Sequence, residues 1–187
     1  MSVPELERAV SELPAGLREH VLRVVAEARR LAHIHGADEE RATVAALGHD
    51  LMRAYAPPDL LREALSARMD ISAVERSEPV LLHGPLGARL MAEHYGVDDA
   101  ETLAAARHHT TARAGMGRLE RVLYVADKIE PGKAREDPDI LEARRLADHD
   151  LDGALRLLLD HQIEKALQQG WPLHPDTVAA RNELLAP

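Results

Sequence analysis

Apolar residues recur at every third or fourth position along almost the whole chain, and no stretch alternates apolar with polar residues at period two. A helix repeats every 3.6 residues and a strand every two, so this spacing admits an all-α fold and little else. Phe is absent and Trp occurs once, so the core has to be built from Leu, Ala, Val, Ile and Met. Such side chains pack well between helices but offer few flat rings on which bases can stack. At 187 residues the chain has the size of one domain and can bury a substantial core.

The first strong stripe, Val21, Val24, Val25, Ala28, Leu31 and Ala32, predicts a helix from Leu17 to Gly36, with the glycine as its C-terminal cap. Asp38 is placed to cap the next helix, with Glu39 and Glu40 in its first turn, where carboxylates favour the helix dipole. That helix carries Ala42, Ala45, Ala46 and Leu47 and is expected to end before Pro57-Pro58. Further helices are expected over Asp59–Ala67, Leu86–Tyr95, Asp98–His109, Met116–Glu130, Ile140–His149 and Leu151–Gln169, with a short last one from Asp176. The polar stretch Lys133–Pro138 reads as a surface loop. No repeat or shift in composition marks a second domain, so residues 1–16 read as an N-terminal segment, 17–170 as the core and 171–187 as a helical extension packed on it.

Charge and composition narrow the function. Lys and Arg number 23 against 32 Asp and Glu, a net charge of −9, which argues against nucleic acid polymers or anionic membrane as partners. A phosphate-bearing ligand would need a local cation. The absence of Cys excludes disulfides, thiolate metal sites and cysteine nucleophiles, and fits a reducing compartment. No apolar run approaches the roughly 18 residues of a transmembrane helix, and the acidic N-terminus lacks the apolar stretch of a secretory signal. The cytoplasm is the expected location.

Eleven histidines are the unusual count. His49 follows Ala45 by four residues and Asp50 follows Ala46 by four, so both continue a buried helical face. A buried imidazole beside a buried carboxylate needs partners, and a divalent metal satisfies both at once; the simpler reading is a hydrogen-bonded pair at a helix end. His20 lies at the edge of the first stripe, and Asp127 follows Leu123 by four residues on another. Two imidazoles and two carboxylates from three helices suit octahedral Fe²⁺ or Mn²⁺ better than a closed zinc site. His83-Gly84-Pro85 places a further imidazole ahead of a helix. The segment His108–Met116 packs His109, Thr110, Thr111 and Arg113 into one turn, a group of donors suited to phosphate oxygens. The alternative is a capping turn with Thr110 or Thr111 as N-cap. Arg53 shares the face of His49 and Asp50, either to orient a phosphate or to pair with Asp50. Trp171 is expected to pin the C-terminal helix, with base stacking as the alternative. His33, His35, His94, His149, His161 and His174 are expected to be solvated or capping.

The order His20, His49-Asp50, Asp127 resembles the metal set of the HD-domain phosphohydrolase superfamily. His83-Gly84-Pro85-Leu86-Gly87-Ala88, His109–Met116 and Tyr124–Gly132 make the chain similar to the YqeK-type family over residues 17–170. The resemblance implies an HD-domain helical bundle that hydrolyses dinucleoside tetraphosphates symmetrically, diadenosine tetraphosphate to two ADP, with iron favoured in the site. It places the metal ligands on His20, His49, Asp50 and Asp127, and phosphate and nucleotide contacts on His83, His109, Thr110, Thr111 and Arg113. The chain departs from the family pattern at several positions. Leu17 stands where the family has an Arg, with Arg18 one step away as the substitute phosphate contact. Arg53 replaces a Lys, Ala112 a Gly and Lys128 an aromatic, and the aromatic usual near Ala134–Arg135 is missing.

The mechanism expected from these residues is metal-assisted attack of water on phosphorus, with Asp50 accepting the proton and His83, His109 and Arg113 neutralising the polyphosphate. Competing readings are another HD-domain activity (nucleotidase or cyclic-nucleotide phosphodiesterase), a nucleotide sensor without turnover, or a helical scaffold. A homodimer is compatible with the sequence.

Overall fold

Glycines in the left-handed region close three helices at positions the sequence marks: Gly36 at φ 66°, Gly96 at 62° and Gly170 at 68°. The computed structural model describes residues 3–133 and 137–185. Among them are eleven α-helices, one 3₁₀ turn and no strand. The helices are α1 (Val3–Ser11), α2 (Ala15–His35), α3 (Glu39–Gly48), α4 (Pro57–Ser66), α5 (Ala73–Ser77), α6 (His83–Tyr95), α7 (Ala100–His108), α8 (Arg118–Ile129), α9 (Pro138–Leu146), α10 (Leu151–Gln169) and α11 (Pro175–Glu183), with the 3₁₀ turn at Pro79–Leu82. The chain is all-α and a single domain, as its periodicity requires.

Helix α8 is the axis of the fold. Leu119, Val122, Leu123, Tyr124, Val125, Ala126 and Ile129 are all buried, and α2, α3, α7, α9 and α10 pack around them. Each fully buried Leu here is worth about 1.5–3 kcal/mol against exposure. A second cluster joins Leu6 and Val10 of α1 to Val21, Val44, Leu47 and Met91, and a third joins Met52, Leu60 and Ala64 to Leu82 and Leu86. No described helix is long and apolar enough to cross a membrane.

Helix α3 ends at Gly48, well before Pro57, because α6 crosses its end at van der Waals distance. A Cβ on Gly87 would meet the carbonyl oxygens of His49 and Gly48 at 3.3 and 3.4 Å, and one on Gly48 would overlap the Met91 side chain. The chain therefore turns at His49. Helix α6 begins at His83, three residues earlier than expected: the 3₁₀ turn runs straight into it, and Pro85 falls in the first turn, where a missing N–H costs nothing. Asp99, not Asp98, caps α7, its carboxylate accepting from the Thr102 N–H at 2.8 Å. Helix α8 starts at Arg118 after Gly117, so neither Thr110 nor Thr111 is its N-cap. Helix α9 starts at Pro138 under an Asp137 cap and stops at Leu146, short of His149, while α11 starts at Pro175. Helices α1 and α5 and the 3₁₀ turn go beyond the sequence expectation. Of the expected loop 133–138, residues 134–136 lie outside the described residues.

Candidate metal centre

Five segments deliver six side chains to one buried spot. His20 comes from α2, His49 and Asp50 from the turn after α3, His83 from the start of α6, His109 from the end of α7 and Asp127 from α8. His20 Nε2 lies 3.1 Å from Asp127 Oδ1 and 3.6 Å from Asp50 Oδ2. His49 Nε2 lies 3.5 Å from Asp50 Oδ2 and 3.9 Å from Asp127 Oδ1. The other carboxylate oxygen of Asp50, Oδ1, faces His83 Nε2 at 3.1 Å and His109 Nε2 at 3.5 Å. All but His20 are at least nine-tenths buried.

The outer nitrogen of each imidazole is tied down. His49 Nδ1 donates to the Ala46 carbonyl at 2.7 Å, His109 Nδ1 to that of Ala106 at 2.7 Å, and His83 Nδ1 to that of Val80. His20 Nδ1 faces Glu130 Oε1 at 3.2 Å, and Arg23 grips Glu130 in turn. With Nδ1 carrying the proton, every Nε2 presents a lone pair inward, the arrangement that outer-shell hydrogen bonds impose on metal-ligating histidines. His49 Nε2 is wholly buried and has no hydrogen-bond partner. An unpaired buried acceptor is costly unless something electropositive occupies the space before it. His20, His49 and Asp50 form one group whose ligand atoms lie within 4.8 Å of one another, and Asp50, His83 and His109 form another. The cluster thus has the donors, the convergence and the orphaned nitrogen that a divalent ion satisfies.

The electrostatics agree. Burial alone would raise Asp50, yet the surrounding His49, His109 and His83 favour its ionised form and hold it well below the usual carboxylate range. Burial acts likewise on Asp127, where Lys128, Lys133 and His20 prevail and keep it ionised. His49 is pushed down by burial, and His109 by the same cause to about 4, so both stay neutral and able to ligate near pH 7.

The remaining expected site residues are distributed more widely. Thr110 Oγ1 sits 3.4 Å from His83 Nε2 and 3.3 Å from His109 Nε2, at the edge of the cluster. Thr111 is buried beside it and lines a cavity of about 460 Å³ with Arg53, Gln162, Trp171, His174 and Thr177. Arg53 is exposed and is not Asp50's partner, since imidazoles fill that role. Trp171 is 52% exposed and lines this cavity together with His174 and Thr177 at the start of α11. Arg113 is held by Glu120 through two hydrogen bonds of 2.7 and 2.8 Å, and Arg18 extends to the Ser11 carbonyl at 3.4 Å. Of the histidines expected to be solvated or capping, His174 caps α11, while its buried Nε2 lacks a partner.

Sequence reasoning missed Glu130, Arg23, Lys128 and Lys133 as parts of the site. Lys128 Nζ donates to Asp127 Oδ2 at 2.6 Å and Lys133 Nζ to Asp127 Oδ1 at 2.8 Å. The signals available were the closeness of Lys128, Glu130 and Lys133 to Asp127 in the sequence and of Arg23 to His20.

The HD-domain family model matches residues 17–132. The symmetrical bis(5'-nucleosyl)-tetraphosphatases of Halalkalibacterium halodurans and Bacillus subtilis are 34% and 35% identical over 167 residues, 89% of this chain and 88% of theirs. A crystal structure from Clostridium acetobutylicum, described as a predicted HD superfamily hydrolase involved in NAD metabolism, superposes with a TM-score of 0.93 at 33% identity, covering 99% of this chain and 97% of that one. Fold, cluster and relatives agree, and the chain belongs to the YqeK-type branch of the HD-domain family.

Proposed function

We propose that this protein hydrolyses dinucleoside tetraphosphates symmetrically, diadenosine tetraphosphate and water giving two ADP. The observation that carries the reading is the convergence of His20, His49, Asp50 and Asp127 beside a polar wall of His83, His109 and Thr110. The likeness to tetraphosphatases along nearly nine-tenths of the chain supports the substrate class. His20, His49, Asp50 and Asp127 hold a divalent ion, iron first and manganese as a substitute. When bound, the ion supplies the Lewis acidity that makes water a competent nucleophile near neutral pH and draws charge from a phosphoryl oxygen.

The protein's own groups do the rest. Asp50 turns one oxygen to the ion ligands and the other to His83 and His109, so a proton taken from the attacking water has imidazole nitrogens 3.1 and 3.5 Å away to receive it. Those imidazoles and the Thr110 hydroxyl face the bridging phosphates and return a proton to the departing ADP. The cavity behind Thr111 accepts one nucleoside, with Trp171 stacking on its base and Arg53 near its phosphates. Local cations are needed because the chain's net charge of −9 repels the substrate. Lys128 and Lys133 stand closest to the ligands; Arg113 reaches substrate only by leaving Glu120, and Arg18 only by leaving Ser11. Residues 17–170 form the catalytic core, and the protein works in the cytoplasm, alone or as a homodimer.

The test is an anaerobic substrate panel with Fe²⁺ or Mn²⁺, comparing dinucleoside polyphosphates, mononucleotides and cyclic nucleotides. ADP as the sole product of diadenosine tetraphosphate is expected. Preference for a mononucleotide or cyclic nucleotide, or release of ATP and AMP, would reject the reading, and return of intact ligand would make the protein a sensor. Ion counting in the same preparations gives the number bound; a second ion would fall to Asp50, His83 and His109, whose ligand atoms converge.

A further inference from the structure

Three successive carbonyls follow α7, those of His109, Thr110 and Thr111, and each accepts a hydrogen bond from a side chain on a different helix. Lys128 of α8 donates to the His109 carbonyl at 2.5 Å. Gln162 of α10 donates through Nε2 to that of Thr110 at 3.4 Å, and Thr177 of α11 through Oγ1 to that of Thr111 at 2.7 Å. Gln162 is itself oriented: the Tyr124 hydroxyl donates to its Oε1 at 2.6 Å, which leaves the amide nitrogen for the turn. Lys128 Nζ lies 4.3 Å from the centre of the Tyr124 ring, so Lys128 and Gln162 share an anchor.

The turn so held is under strain. Ala112 is fully buried at φ 58°, a left-handed conformation that costs a residue with a Cβ roughly 1 kcal/mol or more. A turn that would relax if released carries His109 and Thr110 against the candidate centre. Gln162 and Thr177 lie outside residues 17–132, the part matched by the family model. We propose that Lys128, Gln162 and Thr177 are positioning residues that clamp the His109–Ala112 turn, so that α10 and α11 set the placement of the imidazole and hydroxyl facing the phosphates. None of the three ligates the ion or moves a proton. The proposal rests on the hydrolase reading above.

Thr177→Val and Gln162→Leu remove a donor at nearly constant volume, and Thr177→Ser keeps it. On diadenosine tetraphosphate with saturating metal, the first two should lower kcat by about tenfold or more with little change in KM, since small misplacements near reacting groups have costs of that order. Bound metal and far-ultraviolet circular dichroism should stay at the parent values, amide exchange at residues 109–112 should rise, and Thr177→Ser should retain the parent kcat. Parent kcat in folded Thr177→Val and Gln162→Leu overturns the clamp, as does a loss in Thr177→Ser equal to that in Thr177→Val, which would assign the effect to packing. A rise in KM alone would make Gln162 and Thr177 simple cavity walls and also overturn it. Should Thr177→Val fail to fold, Gln162→Leu and Thr177→Ser decide by the same criteria. If the parent releases no ADP, it is the hydrolase reading that fails, and the exchange rates still report on the clamp.

Discussion

Gly84 lies in the first turn of α6, next to His83, and its substitution by alanine sets two effects against each other. In an unobstructed helix, replacing Gly by Ala gains about 0.5–1 kcal/mol from backbone entropy. Here a Cβ would sit 2.8 Å from the Arg107 carbonyl oxygen, about 0.6 Å short of the 3.4 Å at which ordinary contact begins, and 3.3 Å from both the Ala106 carbonyl and His109 Cε1. The two carbonyls are backbone atoms at the end of α7 and cannot swing aside as a flexible side chain does. Forcing a methyl group into such a contact costs about 1–3 kcal/mol, so the clash exceeds the propensity gain. The displaced carbonyl of Ala106 is the one that holds His109 Nδ1, so the imidazole moves with it. Gly84→Ala should therefore lower Tm by about 2–4 °C for each net kcal/mol lost and reduce kcat at least tenfold. Gly16 in α2 has no atom within 4 Å of an added Cβ, so Gly16→Ala should hold or raise Tm. Thermal melts and steady-state turnover measure both variants. A Gly84→Ala protein as stable and as active as the parent would refute the close packing of α6 on α7.

Other outcomes follow from the same geometry. In metal-free protein, His49 and His109 are held neutral by burial, His109 down to about 4, while the unfolded chain takes up their protons near 6.5. The unfolded state then binds more protons between these values, so stability falls as pH drops from about 6.5 towards 4, by up to about 1.4 kcal/mol per pH unit for each imidazole; melts of chelated protein unchanged from pH 7 to 5 would contradict this. Trp171→Ala should raise KM roughly tenfold with Tm unchanged, because its ring is half exposed over the cavity; unchanged KM would remove it from the base site. Leu6→Ala should cost about 2–5 kcal/mol in chemical denaturation, since Leu6 is fully buried against α3 and α2; a loss under 1 kcal/mol would make α1 peripheral.

The helices that declared themselves were long or capped by residues with one clear purpose. α10 runs over Leu151–Gln169 as read, and Gly36 and Asp38 act where they were placed. Short elements escaped because two turns of α1, or one of α5, carry too few apolar positions to establish a period. The end of α3 escaped for another reason: Leu51 and Met52 continue its apolar spacing, and only the crossing of α6 at Gly87 stops it. The converging histidines and aspartates were legible because His49, Asp50 and Asp127 each continue an apolar stripe, where a polar side chain needs a partner. Long flexible cations were not. Arg113 and Arg18 read as phosphate ligands but found Glu120 and the Ser11 carbonyl, whereas Lys128 read as a departure and Glu130 was given no role, yet they hold Asp127 and His20. No local pattern tells a lysine which of several carboxylates within reach it will meet.

The most direct measurement is anaerobic titration of metal-stripped protein with Fe²⁺, following bound ion and ADP release from diadenosine tetraphosphate together, with His49→Ala alongside. ADP formation should rise in proportion to ion bound by the parent, and His49→Ala should bind weakly and stay inactive at every concentration. Full turnover by the stripped parent, or by His49→Ala, would contradict an ion held by His20, His49, Asp50 and Asp127.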